Sequence, residues 1–224
     1  MSKALTIAVF GARGTGKTQW VLQEIRRQKP RRLMVWDHKH DPGLEGLGTA
    51  YHSLPECIRA LEAGTFAVRY LPNHGADLVA QFDLFCKAVW AAGNVLLFVD
   101  ELPEVTKANR APPAWRKLVN VGREYRGADG KVRHVAIIGA GQRPAECDKS
   151  LIANADVVHV GRLGNAADAK EMARSWGVDQ RTFMDLPDLH WREKRAHTPE
   201  IFSGVLKFSN TAPRVKKKRL RQAI

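Results

Sequence analysis

The sequence predicts an α/β fold, with a mainly parallel sheet flanked by helices. Three observations predict it. Short apolar runs alternate with longer stretches of helical periodicity, the order that builds right-handed strand–helix–strand crossovers. The apolar runs are continuous, as in Val95 to Val99 (Val-Leu-Leu-Phe-Val), which suits strands covered on both faces. The first run, Ala4 to Phe10, passes directly into Gly11-Ala12-Arg13-Gly14-Thr15-Gly16-Lys17-Thr18 and then into a helical stretch. Strand, glycine loop and helix in that order make the match G-x-x-x-x-G-K-T a phosphate-binding P-loop.

The elements follow in order. Gln19 to Arg27 places Trp20, Val21, Glu24 and Ile25 at helical spacing. Leu33 to Asp37 is a second strand, soon followed by the turn signal Asp41-Pro42-Gly43. Leu54 to Ala63 is helical and stops at Gly64, and Phe66 to Leu71 is a strand stopped by Pro72-Asn73. Asp77 to Ala92 carries a stripe of Leu78, Val79, Phe82, Phe85, Val89 and Trp90 and ends at Gly93. After the Val95–Val99 strand, Pro112-Pro113 opens a helix running to about Tyr125, and 127–130 is a loop. Val132 to Ile138 is the next strand, Pro144 to Ile152 a short helix, Asp156 to Val160 a strand, and Asn165 to Trp176 a helix stopped by Gly177. Periodicity weakens from Gln180, with a late strand expected at Val205 to Phe208. The expected organisation is one ATPase domain over 1–212, with its core at about 4–176 and an extension at 177–212. A flexible basic tail over 213–224 follows.

An apolar content of 44% suits a globular chain. No apolar run reaches bilayer-spanning length, and the first residues do not read as a signal peptide. Cys57, Cys86 and Cys147 are scattered without metal-ligand spacing, which suggests a reduced, cytoplasmic setting. The net charge of +13 points to a polyanionic partner. Six of those charges lie in Arg214, Lys216, Lys217, Lys218, Arg219 and Arg221, so the rest of the chain still carries +7. That run fits DNA, an anionic lipid head group, a capsid partner or plain solvent. Arg26, Arg27, Lys29, Arg31 and Arg32 cluster where the first helix should end, where cations suit the helix dipole.

In a parallel sheet, ligands sit beyond the carboxyl ends of the strands. That rule brings Gly11–Thr18, Asp100-Glu101 and Gln142 to one edge. The loop amides and the following helix N-terminus would cradle phosphate. Lys17 would reach the β- and γ-phosphates of ATP, and Thr18 would hold Mg²⁺. Asp100, at the end of an apolar strand, fits the second Mg²⁺ ligand. Glu101 fits a general base for water. Gln142 would contact the γ-phosphate and that water as a sensor. Arg123, Arg126 and Arg162 are candidates for an arginine finger supplied by a neighbouring subunit.

With those segments in hand, the chain resembles the FtsK/HerA-type P-loop ATPases, and among them the genome-packaging ATPases of tailless, membrane-containing viruses. The resemblance rests on the P-loop at 11–18, Val-Trp-Asp-His-Lys-His-Asp at 35–41 and Leu-Phe-Val-Asp-Glu at 97–101. It extends to Gly-Arg-Glu-Tyr-Arg at 122–126 and Gly-Ala-Gly-Gln-Arg-Pro at 139–144. It covers about Ala4 to Trp176. It implies the additional-strand, catalytic-glutamate class of P-loop fold (RecA/FtsK/HerA-like) and ATP hydrolysis coupled to translocation of double-stranded DNA. It further implies a homo-oligomeric, hexameric ring with ATP between subunits, and Arg123 as first choice for the finger. A capsid vertex or membrane-associated portal protein is the expected partner. The host cytoplasm, with possible association with the virion, is the expected location. The pattern departs from the group at Gly141, where a Thr usually precedes the sensor Gln.

Three other readings share the P-loop. A filamentous-phage (Zot-like) assembly ATPase would act at the inner membrane and generally carries a membrane span. A small-molecule kinase would need no base for water. A nucleotide-gated scaffold would bind ATP and barely hydrolyse it.

Overall fold

The computed structural model describes residues 4–208. Five buried residues, Thr6–Phe10, form the central strand β1. The helix α1 (Lys17–Gln28) and β2 (Arg32–Trp36) follow, then a 3-10 turn over Pro42–Leu47. Next come β3 (Thr49–Tyr51), α2 (Leu54–Arg59), β4 (Phe66–Tyr70), α3 (Leu78–Ala92) and β5 (Val95–Val99). A short 3-10 turn at Leu102–Glu104 leads to α4 (Pro113–Val121) and a small hairpin of β6 (Tyr125–Arg126) and β7 (Val132–Arg133). The chain continues through β8 (Val135–Gly141), α5 (Lys149–Asn154), β9 (Val157–Gly161), α6 (Ala166–Trp176) and α7 (Arg181–Met184). It closes with β10 (His190–Arg195) and β11 (Ile201–Val205).

Nine strands form one sheet in the order β11-β10-β9-β1-β8-β5-β2-β4-β3. All pairs from β9 across to β3 are parallel, and β10 and β11 join antiparallel. Strand β8 lies between β1 and β5. That is the additional strand expected between the phosphate loop and the acidic pair.

Both faces of the sheet are covered, which explains the unbroken apolar runs. Ile7 and Val9 of β1 pack with Val21, Leu22 and Ile25 of α1 on one face. Ala8 and Phe10 face the larger core, with Phe82 and Phe85 of α3, Trp115 of α4, Leu151 of α5 and Met172 of α6. Cys57, Cys86 and Cys147 are free and buried, and burial raises each thiol pKa.

Several expectations need correction. The helix expected to run to about Tyr125 ends at Val121, where Gly122 caps it. The hairpin behind it is pinned by Tyr125, which stacks on Trp90 at 3.7 Å and donates its hydroxyl to the Trp90 carbonyl at 2.5 Å. The strand expected over Val132–Ile138 is therefore divided between β7 and β8. The helix expected from Pro144 begins at Lys149, capped by the Asp148 carboxylate accepting from Ser150 N. The late strand expected at Val205–Phe208 is β11, which ends at Val205. Leu206–Phe208 instead turns toward the P-loop. The edge strand β3 and the charged strand β10 were not expected. The tail expected over 213–224 lies outside the described residues.

Candidate active site

The register sets the site. Phe10 of β1 pairs with Gly141 of β8, and Val99 of β5 pairs with Gly139. Gly11, Asp100 and Gln142 therefore emerge together at the carboxyl edge. Asp100, Glu101 and Gln142 line a single cavity of about 690 Å³ together with Gly14, Gly16, Lys17 and Thr18 of the loop that Gly11 opens.

Gly16 caps α1 with φ 93°, left-handed backbone that a side chain disfavours. A Cβ there would also lie 2.5 Å from Leu206 Cδ2. No acid sits in the first turn of α1, so its amides and dipole are available to an anion. The Lys17 ammonium donates to the Gly11 carbonyl at 2.7 Å and the Ala12 carbonyl at 3.0 Å. Burial lowers its pKa, opposed by Glu101 and Asp100. A half-buried ammonium resting on neutral carbonyls beside an amide-lined loop fits a phosphate ligand.

Asp100 and Glu101 are set apart by their surroundings. Burial, then the neighbouring Glu101 charge, raises Asp100 to about 7; Asp37 and Asp41 add to the effect. The ionised form of Asp100 is the one that a divalent cation bound beside it would favour. Glu101 adopts left-handed backbone at φ 49°, a strained conformation of the kind that clusters at functional sites. Burial pushes its pKa up, but hydrogen bonds from Lys39 and Gln142 outweigh this and hold it below the ordinary value. Gln142 donates its backbone N–H to Glu101 Oε1 at 3.1 Å and its side-chain amide to Oε2 at 2.9 Å.

Lys39 is a charged residue of this cavity that no motif in the sequence singles out. Its ammonium pairs with Glu101 Oε2, and it lines the same cavity. The loop carrying it is tied down by Asp37, which accepts from Arg69 Nη1 and from Asp41 N, each at 2.9 Å. The signal was present in the segment at 35–41, since Lys39 follows β2 at the same edge as the P-loop.

The Gly141 departure has a steric cause. A Cβ at Gly141 would lie 2.6 Å from Pro103 Cδ. Pro103 follows the acidic pair, so its ring fills the space that a Thr would need. Beyond Gln142, Arg143 is occupied by the buried Asp168 at 2.7 Å, which also accepts from Ala145 N. That contact fixes the loop behind the sensor.

The three candidate finger arginines lie apart. Arg123 Nη2 donates to Asp156 Oδ2 at 2.9 Å, and the same carboxylate oxygen accepts from Thr6 N, at the amino ends of β1 and β9. The length of β1, roughly 16 Å at ~3.3 Å per residue, separates it from its own P-loop. Arg126 donates to Gly130 O at 3.1 Å in the hairpin loop. Arg162 flanks its own P-loop: its carbonyl accepts from Ala12 N at 2.7 Å and its guanidinium pairs with Asp188 at 2.7 Å.

No family model matches the chain. Among curated proteins it is 24% identical over 185 residues to Protein P9 of Pseudoalteromonas phage PM2, covering 81% of this chain and 79% of that one. The genome packaging NTPase B204 from Sulfolobus turreted icosahedral virus 2, solved with sulfate, superposes with a TM-score of 0.68 at 14% identity. That match covers 91% of this chain and 96% of that one. The pCW3 conjugation coupling protein TcpA, solved with ATPγS, superposes with a TM-score of 0.54 at 14% identity, covering 90% of this chain and 59% of that one. The chain therefore shares its fold, a mainly parallel sheet with a P-loop after its central strand, with the genome packaging NTPase B204 and with part of the conjugation coupling protein TcpA.

Proposed function

We propose that the chain is a Mg²⁺-dependent ATPase that drives double-stranded DNA into a viral capsid. One observation carries the hydrolytic part: the P-loop lysine and threonine share a cavity with an acidic pair and a glutamine from two other strands. Packaging is supported by the likeness to the genome packaging NTPase B204, and a viral setting by the likeness to the phage protein P9. The net charge of +13 suits a polyanionic partner.

In this reading Lys17 and the α1 amides hold the phosphates, while Thr18 and Asp100 hold Mg²⁺. When bound there, the ion would supply positive charge against the charge that develops on the phosphoryl group. Glu101 takes a proton from the attacking water, and Gln142 orients that water. Lys39 holds Glu101 ionised between turnovers. Because Lys39 shares the cavity with Lys17, its ammonium exchanges Glu101 for the incoming phosphates and frees the carboxylate. A carboxylate directly after Asp100, lining the phosphate-loop cavity, supports attack by water over transfer to an acceptor.

The subunits form a ring, hexameric on the family pattern, in which Arg123 completes a neighbour's site. Its distance from its own P-loop makes any contact with phosphate one in trans. Among the described residues, no helix is long and apolar enough to cross a membrane. The host cytoplasm and the virion are the proposed locations, with a capsid-vertex or portal protein as partner.

The test compares ATP binding and phosphate release, in Mg²⁺, by the parent protein and Glu101→Gln. The reading requires binding by both and release by the parent only. Equal release by the two would remove Glu101 from the mechanism.

A further inference from the structure

The cavity is larger than its phosphate-facing residues alone enclose. Its wall beyond Gly16 and Gln19 is apolar and comes from the C-terminal segment, through Leu189 and Phe208. We propose that Leu189 and Phe208 form a nucleobase subsite continuous with the phosphate loop. The subsite rests on the reading of that loop as a nucleoside triphosphate site.

Three features place it. First, the segment is anchored to the helix that begins at the P-loop. Gln23 of α1 donates its side-chain amide to Lys207 O at 2.7 Å, and Leu206 N donates to Leu189 O at 2.8 Å. Phe208 is thus the residue directly after a backbone tied to α1. Second, Leu189 holds left-handed backbone at φ 65°, an outlier for a bulky side chain. Its Cδ2 lies 3.2 Å from where a Gly16 Cβ would stand. The strained turn before β10 brings a methyl group against the loop. Third, Phe208 is 56% exposed although it borders a cavity. Flat aromatic and aliphatic surfaces beside a phosphate cradle suit the face of a purine, which stacks with little dependence on its polar edge.

The occupant is the base of a bound nucleotide, since Leu189 and Phe208 line the same cavity as the glycine loop. An inorganic polyphosphate would use the loop alone. That difference supplies the experiment. ATP and tripolyphosphate, each with Mg²⁺, are titrated by calorimetry into the full chain, Phe208→Ala and Phe208→Trp. The expected result is about tenfold weaker ATP binding by Phe208→Ala, tripolyphosphate affinity within about twofold of the parent, and ATP affinity restored by Phe208→Trp. Unchanged ATP affinity in Phe208→Ala overturns the subsite and leaves the phosphate site standing. Equal loss of both ligands in Phe208→Ala also overturns it, because the effect then lies in the loop. A parent protein that binds neither ligand overturns the subsite together with the phosphate-site reading.

Discussion

At the scale of single residues, the account turns on charges held close together. Lys17→Ala removes the ammonium next to the phosphates and should lower kcat/KM for ATP by at least about a hundredfold. Lys39→Ala has a more specific signature. Lys39 and Gln142 hold Glu101 below its ordinary pKa against burial. Removing the ammonium lets that pKa rise, so the acid limb of the kcat/KM profile should move to higher pH; an unmoved limb would place Lys39 outside the mechanism. Asp100 behaves in the opposite sense. Its folded pKa of about 7 stands above the ordinary carboxyl value of 3.8. In the ligand-free protein the ionised form costs stability, and this cost grows as pH rises from about 4 to about 7. Asp100→Asn should therefore raise the ligand-free Tm by about 2–4 °C at pH 8 and by less at pH 5. A thermal-melt series across pH reads this directly. The P-loop and the acidic pair were legible because each residue type follows from its chemistry at a strand end. Lys39 was not, since an isolated lysine after a strand has the same pattern as a solubilising one.

At the scale of elements, strand ends decide what the sequence shows. Central strands such as β5 are unbroken apolar runs because helices cover both faces, and they were plain to read. Strand β10 reads His-Trp-Arg-Glu-Lys-Arg, which looks like a solvated segment. It becomes a strand because it pairs antiparallel with β9, where Glu193 lies opposite the buried His159 at 3.6 Å. Long-range pairing of this kind leaves no local period. The sequence predicts a strand over Val205 to Phe208, but hydrogen bonds to Leu189 and Gln23 draw Leu206–Phe208 against α1. Gly141 records a similar constraint between elements. Gly141→Thr should destabilise the protein by about 1–3 kcal/mol through overpacking on Pro103. Pro103→Ala in the same chain should recover most of that loss. Additive losses in denaturant unfolding would show that the two positions do not compete for space.

At the scale of the whole molecule, the two ends of the sheet differ. The carboxyl edge gathers the P-loop and the carboxylates. The amino edge carries Arg123 and the end of α1, with Arg26 and Arg27 in its last turn. A head-to-tail ring would set one edge against the other, and this composite site can be tested by mixing. Lys17→Ala and Arg123→Ala subunits, each inactive alone, should regain ATPase activity together, because some interfaces then pair an intact P-loop with an intact arginine. No recovery on mixing would leave Arg123 as the structural partner of Asp156. Oligomer number and the path of DNA leave no trace in periodicity or motif, because they depend on surfaces that meet only between subunits. The central claim is that this cavity hydrolyses ATP in the service of moving duplex DNA. The most direct measurement is the steady-state rate of ATP hydrolysis with and without duplex DNA, at fixed salt and Mg²⁺. The account predicts turnover that rises severalfold with duplex DNA and is abolished by Glu101→Gln. A rate indifferent to DNA, from a protein that stays monomeric with nucleotide bound, would contradict it.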